Sequence, residues 1–431
     1  MALQTQPAMY DAREVYGPFL GNRWVQLVSA IIGMIMIANL QYAWTLFVPP
    51  LQEAFGWKLP AVQLGFTLFI MFETYTQPVE GYLLDRFGPK IFFTVAGILV
   101  GIGWTALAFV KSLPALYFFY ALAGLGAGFV YGGSIAVAVR WFPDRRGLAS
   151  GLIAAGFGGG SAPFIPIIGK ILATQGYAAA FLYTGILQGF IILIVAQILR
   201  YPPWERSHST HSTRDKTKQD EKRGFAPWEM IRTPHFWLIY IMFIFMATGG
   251  LMVTAQTKPF AKDVGIAASF VIMGVTADRI SNGLGRILWG AISDKFGREN
   301  TMFVAYTLNA IFIALMPTLG RNPWLFVALI FCIMLTWGEI YSLFPPATAD
   351  RFGTTYAASN YGVVYSAKGF GGILGGYVAA LLVQAAGWSL VFYVSALMAF
   401  LAALGALVLR SMPKPVLPSM KSGDGGFTTQ A

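Results

Sequence analysis

The chain has 431 residues, of which 56% are hydrophobic and only 11% charged, with a mean hydropathy of +0.61. A water-soluble domain carries about 25% charged residues, so this composition excludes a soluble protein and marks an integral membrane one. The apolar runs are continuous rather than alternating, which excludes a β-barrel and leaves an all-α bundle.

In chain order, a polar tail over 1–23 contains Asp11, Arg13 and Glu14 and does not read as a cleavable signal. Apolar runs of spanning length follow at approximately 24–49, 61–83, 91–112, 114–138, 148–172 and 179–199. The long polar stretch 200–234 reads as a cytoplasmic linker, and His208, His211 and His235 in or beside it read as solvated loop residues. Six more runs follow at 235–256, 268–292, 301–319, 324–345, 360–384 and 387–410, before a polar tail over 411–431. The expected architecture is therefore twelve transmembrane helices in two six-helix lobes, 24–199 and 235–410.

The net charge of +11 is topological. With the N-terminus inside, most Lys and Arg fall on cytoplasmic segments, and the opposite side holds only Lys58, Lys111, Lys170, Lys258, Lys262 and Arg321. By the positive-inside rule both termini are expected in the cytoplasm, the protein spanning the cytoplasmic (inner) membrane many times. No nucleic acid is implied. The lone Cys332, in an apolar run, excludes an internal disulfide framework and a thiolate metal cluster.

An internal repeat relates the halves. The loop Gly81-Tyr-Leu-Leu-Asp85-Arg86-Phe-Gly88 recurs as Gly290-Ala-Ile-Ser-Asp294-Lys295-Phe-Gly297-Arg298, and Asp294 follows Asp85 by 209 residues. The same offset pairs Leu148-Ala149-Ser150 with Ala357-Ala358-Ser359. A repeat of this length points to a two-lobed carrier with its site between the lobes. Asp85, Arg86, Asp294, Lys295 and Arg298 are candidates for a latch that pairs in one conformation and releases in another. On these two loops the chain resembles the major facilitator superfamily.

Ionisable residues inside spans are costly and mark function. Six lie more than three residues from either end of a span: Glu73, Asp278, Arg279, Arg286, Glu339 and Lys368. At a rise of about 1.5 Å per residue, Arg286 lies about 12 Å and Lys368 about 14 Å inside the cytoplasmic boundary. Both approach the midplane of a core about 30 Å thick. Two cations at one depth repel unless an anion joins them, so they form a candidate small-anion site. The alternative is that buried acids neutralise them, with Glu73 and Glu339 available and Asp278 and Arg279 forming their own pair. Arg286 has Asn282 one turn earlier, where proton-coupled monocarboxylate carriers place a titratable Asp. Asn282 cannot carry a proton, which favours exchange, while Glu73, Asp278 and Glu339 remain candidates for coupling or charge balance. Gln41, Tyr42, Tyr131, Trp337 and Tyr341 supply polar aromatic and amide groups suited to carboxylate oxygens.

The segments Gln41-Tyr42-Ala-Trp44, Arg140-Trp-Phe-Pro-Asp-Arg-Arg-Gly-Leu-Ala-Ser-Gly151, Asn282-Gly-Leu-Gly-Arg286, Thr336-Trp-Gly and Ala367-Lys368 narrow the resemblance to the oxalate:formate antiporter family. That resemblance implies exchange of oxalate for formate, with Arg286 and Lys368 binding the two carboxylates and Gln41, Tyr42, Tyr131, Trp337 and Tyr341 around them. It implies no cofactor, no enzyme activity and a monomer in the lipid bilayer. The alternative is a proton-coupled monocarboxylate symporter. The chain departs from the family pattern at Phe157 (a Tyr in the family), Glu73 (a Gln), Glu339 (a Gly) and Arg279 (an Asn).

Overall fold

Backbone groups in lipid have no water to bond, so a spanning segment must satisfy them internally. The computed structural model describes residues 12–142, 146–203, 224–353 and 356–415, and the regular structure in them is helical. The first half runs α1 (Ala12–Leu20), α2 (Arg23–Tyr42), α3 (Trp44–Phe55), α4 (Leu59–Tyr75), α5 (Gln77–Ala106), α6 (Leu113–Trp141), α7 (Arg146–Gly159) and α8 (Phe164–Ile198). After the short α9 (Pro227–Met230) come α10 (Pro234–Asp263), α11 (Ala268–Phe296), α12 (Arg298–Leu319), α13 (Pro323–Trp337) and α14 (Ile340–Phe352). Then α15 (Ala357–Tyr365) and α16 (Ala367–Gly372) lead through a wide π turn, Ile373–Val378, into α17 (Ala379–Ser411).

Eight stretches are long and apolar enough to cross a membrane, and Leu59–Tyr75 is a shorter apolar helix. The distribution of polarity is inside out. Ile91, Val95, Ile98 and Ile102 make an exposed helical stripe on α5, as Leu397, Leu401, Leu404 and Val408 do on α17. Gln26, Asn39, Gln63 and Glu73 are buried instead. Such a surface suits lipid. The protein is a multi-spanning all-α membrane protein.

Several expected spans are broken where the site forms. Pro78, near the start of α5, has no N–H to give, so α4 stops at Thr76, whose hydroxyl bonds back to Phe72 O at 2.5 Å. Breaks also fall at Ala43, at Gly338–Glu339 and at Ser366. Left-handed glycines punctuate both halves in matching places: Gly56 with Gly265, and Gly88 with Gly297.

His235 departs from its expected exposure. It is buried, and its Nε2 lies 2.7 Å from Pro413 O, because the chain beyond α17 folds back over the start of α10. His208 and His211 lie outside the described residues.

Helices α5 and α8 pack backbone to backbone. A Cβ built on Gly189 would sit 2.6 Å from Gly101 Cα. Gly189→Ala is therefore expected to force the two helices apart and cost about 1–3 kcal/mol. Thermal unfolding in detergent checks this, and an unchanged melting temperature would refute the close fit.

Candidate anion-binding site

The two halves meet along α3–α10, α4–π turn and α7–α11. Near one end of the bundle, Lys258 Nζ donates to Leu46 O at 2.8 Å and Lys262 pairs with Glu53 at 2.6 Å. Deeper, Gln63 donates to Ala255 O at 2.8 Å and Thr67 to Gly372 O at 3.0 Å. Below this seam lie the buried cations.

Arg286 is held on α11 by its own helix and by the opposite half. Its Nε donates to Asn282 Oδ1 at 3.1 Å, as the one-turn spacing requires, and its Nη1 donates to Ala154 O on α7 at 2.8 Å. The guanidinium lies 4.4 Å from the centre of the Tyr341 ring, and Nη2 has no partner among the described residues. Glycines make the close approach possible: a Cβ on Gly158 would fall 2.9 Å from Arg286 Nε. Gly338 likewise lets the α13–α14 break rest on Asn282, where a Cβ would meet its carbonyl oxygen at 2.5 Å.

Lys368 is not an unpaired cation facing a cavity. Its Nζ sits 2.9 and 2.8 Å from the two oxygens of Glu73, across the interface on α4, and both side chains are fully buried. It also donates to Gln41 Oε1 at 3.0 Å and Tyr365 Oη at 3.3 Å. The expected repulsion between two uncompensated charges is corrected accordingly, since Glu73 neutralises one of them. The other proposed acid does not take part. Glu339, in the break between α13 and α14, is fully buried, and neither carboxylate oxygen has a partner among the described residues.

Asp278 and Arg279 do contact each other, Oδ1 to Nη2. The Arg279 guanidinium also lies 3.9 Å from the centre of the Tyr42 ring. Arg286, Lys368 and Arg279 thus all come from the second half and rest on groups of the first.

An aromatic cage joins them. Ring centroids are 5.1 Å apart for Tyr42–Phe157, 5.3 Å for Tyr131–Phe157, 5.5 Å for Tyr131–Tyr365 and 6.1 Å for Tyr341–Tyr365. Trp337 packs edge-on against Tyr341 at 5.4 Å, as their four-residue spacing predicts. Its indole N–H is spent on Met246 O at 2.8 Å, so Trp337 is a wall and not a free donor. Tyr42 Oη, Tyr341 Oη, Gln41 Nε2 and Asn282 Nδ2 are buried without a partner among the described residues. Buried donors left unmet are costly, and donors gathered about an arginine fit an anion. Tyr365 was not among the expected residues; it ends α15, three residues before Lys368, and the two meet across the break at Ser366.

At the loop repeat, Asp294 pairs with Arg298 at 2.5 Å and Arg298 approaches Asp350 at 3.8 Å. These partners belong to the second half, and Lys295 makes no ion pair among the described residues. The side chains of Asp85 and Arg86 lie outside the described residues.

The sequence model described as Major Facilitator Superfamily matches residues 29–273 and 241–427. The "Oxalate:formate antiporter" of Oxalobacter formigenes is 41% identical over 404 residues, covering 93% of this chain and 95% of that one. "Monocarboxylate transporter 12" of Mus musculus is 25% identical, covering 67% of this chain and 64% of that one. Among solved structures, a crystal structure of the nucleoside transporter NupG superposes with a TM-score of 0.68, covering 90% of this chain and 100% of that one at 14% identity. That last likeness concerns the fold alone. With its buried basic site between two related halves, the chain belongs to the oxalate:formate antiporter family of the major facilitator superfamily, which makes it a membrane transporter and not an enzyme.

Proposed function

We propose that the protein exchanges oxalate for formate across the cytoplasmic membrane by alternating access. In this reading it has two six-helix lobes, 24–199 and 235–410, joined by the linker 200–234, with both termini cytoplasmic. The eight long apolar stretches support twelve crossings: Gly151–Ile198 and Ser359–Ser411 are each long enough to span twice, with left-handed turns at Gly176 and Gly387. The helix at Leu59–Tyr75 and the polar-lined α11 supply the other two.

One observation carries the substrate assignment. Arg286 is buried, has no acid partner among the described residues, and stands among unmet hydroxyl and amide donors. It takes one carboxylate, and Lys368 takes the second. Tyr42, Tyr341, Gln41 and Tyr131 orient the oxygens, while Trp337 and Phe157 exclude water. Asp294, Lys295 and Arg298, with Asp85 and Arg86, latch the lobes. The name of the Oxalobacter relative supports this reading.

A specific observation also favours a second reading. With Lys368 already paired to Glu73 and Arg279 to Asp278, Arg286 is the one buried cation of the site without an acid partner among the described residues, which suits a monocarboxylate carried with a proton.

Counterflow in proteoliposomes separates the two. Labelled oxalate should accumulate against internal formate or oxalate and stay near background with no internal anion. Lactate uptake driven by a proton gradient alone, without oxalate exchange, would establish the monocarboxylate reading instead.

A further inference from the structure

Two cations and one acid converge in the site, and their charges set what each ligand must bring. Arg286 and Lys368 contribute two positive charges, and Glu73, in contact with Lys368 through both oxygens, contributes one negative charge. The set carries one net positive charge. A monocarboxylate on Arg286 neutralises it and leaves the Lys368–Glu73 pair intact.

A dicarboxylate cannot do the same. Its second carboxylate needs Lys368, whose donors face Glu73, Gln41 and Tyr365. Taking Lys368 away would strand a fully buried, ionised Glu73 without a cation partner among the described residues, in a set now carrying one net negative charge. A buried charge stripped of its partner is strongly unfavourable. A proton on Glu73 removes the excess.

Resting on the exchange proposed above, we propose that Glu73 is a resident counter-ion for Lys368 that takes up one proton when a dicarboxylate loads and returns it when the dicarboxylate leaves. The proton comes from the aqueous phase, bonds to one Glu73 oxygen, and is given back to water on the other side. No electron moves. Inward passage of oxalate with one proton then transfers one negative charge, the same as outward passage of one formate. The exchange is electroneutral because of a single side chain.

The surroundings of Glu73 are compatible with this role. From neighbouring elements it is faced by Lys368 on α16 and Tyr365 on α15, and by Tyr120 and Tyr131 on α6. Tyr42 on α2, Tyr341 on α14 and Glu80 on α5 are also within its electrostatic reach, and Arg286 acts on Lys368 from α11. Glu80 accepts from the Thr76 hydroxyl, and among the described residues neither it nor Glu339 makes a hydrogen bond or ion pair with either cation. Among the described residues, Glu73 is the acid placed to trade Lys368 for a proton.

The test uses the full-length protein in proteoliposomes loaded with formate and a trapped pH dye, with potassium and valinomycin fixing the membrane potential. Protein-free vesicles correct for diffusion of formic acid. Wild type should take up labelled oxalate to an extent independent of potential, and the lumen should gain one proton per oxalate. Glu73→Gln should bring in no proton, and its steady-state oxalate accumulation should change about fifty-fold per 100 mV, as one net charge requires. Potential-dependent uptake without acidification in wild type would overturn the inference and leave oxalate:formate exchange standing. Absence of any oxalate:formate exchange in wild type would overturn the exchange itself. The wild-type readings decide the matter even where the variant folds poorly.

Discussion

Replacing Arg286 with Gln is expected to reduce exchange of oxalate and of formate alike by about a hundredfold or more. The reason is its position in the charge set. Lys368 has Glu73, Arg279 has Asp278, and Arg286 alone of the three meets no carboxylate among the described residues. Truncating one partner of a buried, hydrogen-bonded charge pair costs about 2–5 kcal/mol, and on the proposed reading every substrate carboxylate uses this one. The protein should still fold, because the lost contacts are two hydrogen bonds, to Ala154 O and Asn282 Oδ1, and the stacking on the Tyr341 ring. Arg286→Lys should rescue little, since a lysine keeps the charge and loses the planar fork. Initial rates for both labelled anions, with melting temperature as the control for folding, check this. Formate exchange at the wild-type rate in Arg286→Gln would remove Arg286 from the site.

Lys368→Gln should act mainly on stability, and its rescue should come from the other half of the molecule. The substitution strands Glu73, fully buried on α4, and breaking such a pair costs about 3–5 kcal/mol. The double variant Glu73→Gln with Lys368→Gln removes both charges, leaves two amides able to bond each other and Gln41, and should recover most of the melting temperature. Function should not recover in the same way. The double variant should exchange formate for formate while oxalate binding stays weak, because one carboxylate needs one cation. A double variant as unstable as Lys368→Gln would show that the two residues are not energetically coupled. Full oxalate exchange in it would show that Lys368 holds no carboxylate.

The positions of the buried charges were legible because a charge inside an apolar span stands out against everything around it. Their partners were harder to read. Glu73 and Lys368 are 295 residues apart, and only the packing of α4 against α16 and the π turn brings them together. Glu339 had the same sequence signal as Glu73, a lone acid in a span, yet it sits in a helix break away from both cations. Depth along a span is written in residue count, but rotation about it depends on where the helix bends. The breaks at Ala43, Thr76 and Ser366 interrupt the period from which that rotation would be counted. Trp337 shows the complementary limit. Its spacing to Tyr341 fixed their shared face, whereas the commitment of its N–H to Met246 depended on a chain segment 91 residues away. Local geometry is readable from spacing, and the identity of distant partners is not.

The wide turn at Ile373–Val378 bears on how a duplicated chain divides its labour. The stretch from Gly297 to Gly387 is two residues longer than its counterpart from Gly88 to Gly176. An added residue in a regular helix would rotate everything past it by about 100°, whereas a π turn takes up about one such residue within a single turn. Before it Lys368 is directed toward Glu73 and Gln41, while after it and ahead of the turn at Gly387 the exposed Leu381 is directed toward lipid. By the offset of 209, the counterparts of Arg286 and Lys368 in the first copy are Gln77 and Gly159, neither of them charged. The ancestral twofold relation survives in the scaffold and is lost at its centre. On the proposed reading an anion seated there would meet cationic groups from one copy and a carboxylate, a carbonyl and aromatic rings from the other, so even a ligand with two identical ends would be gripped differently at each.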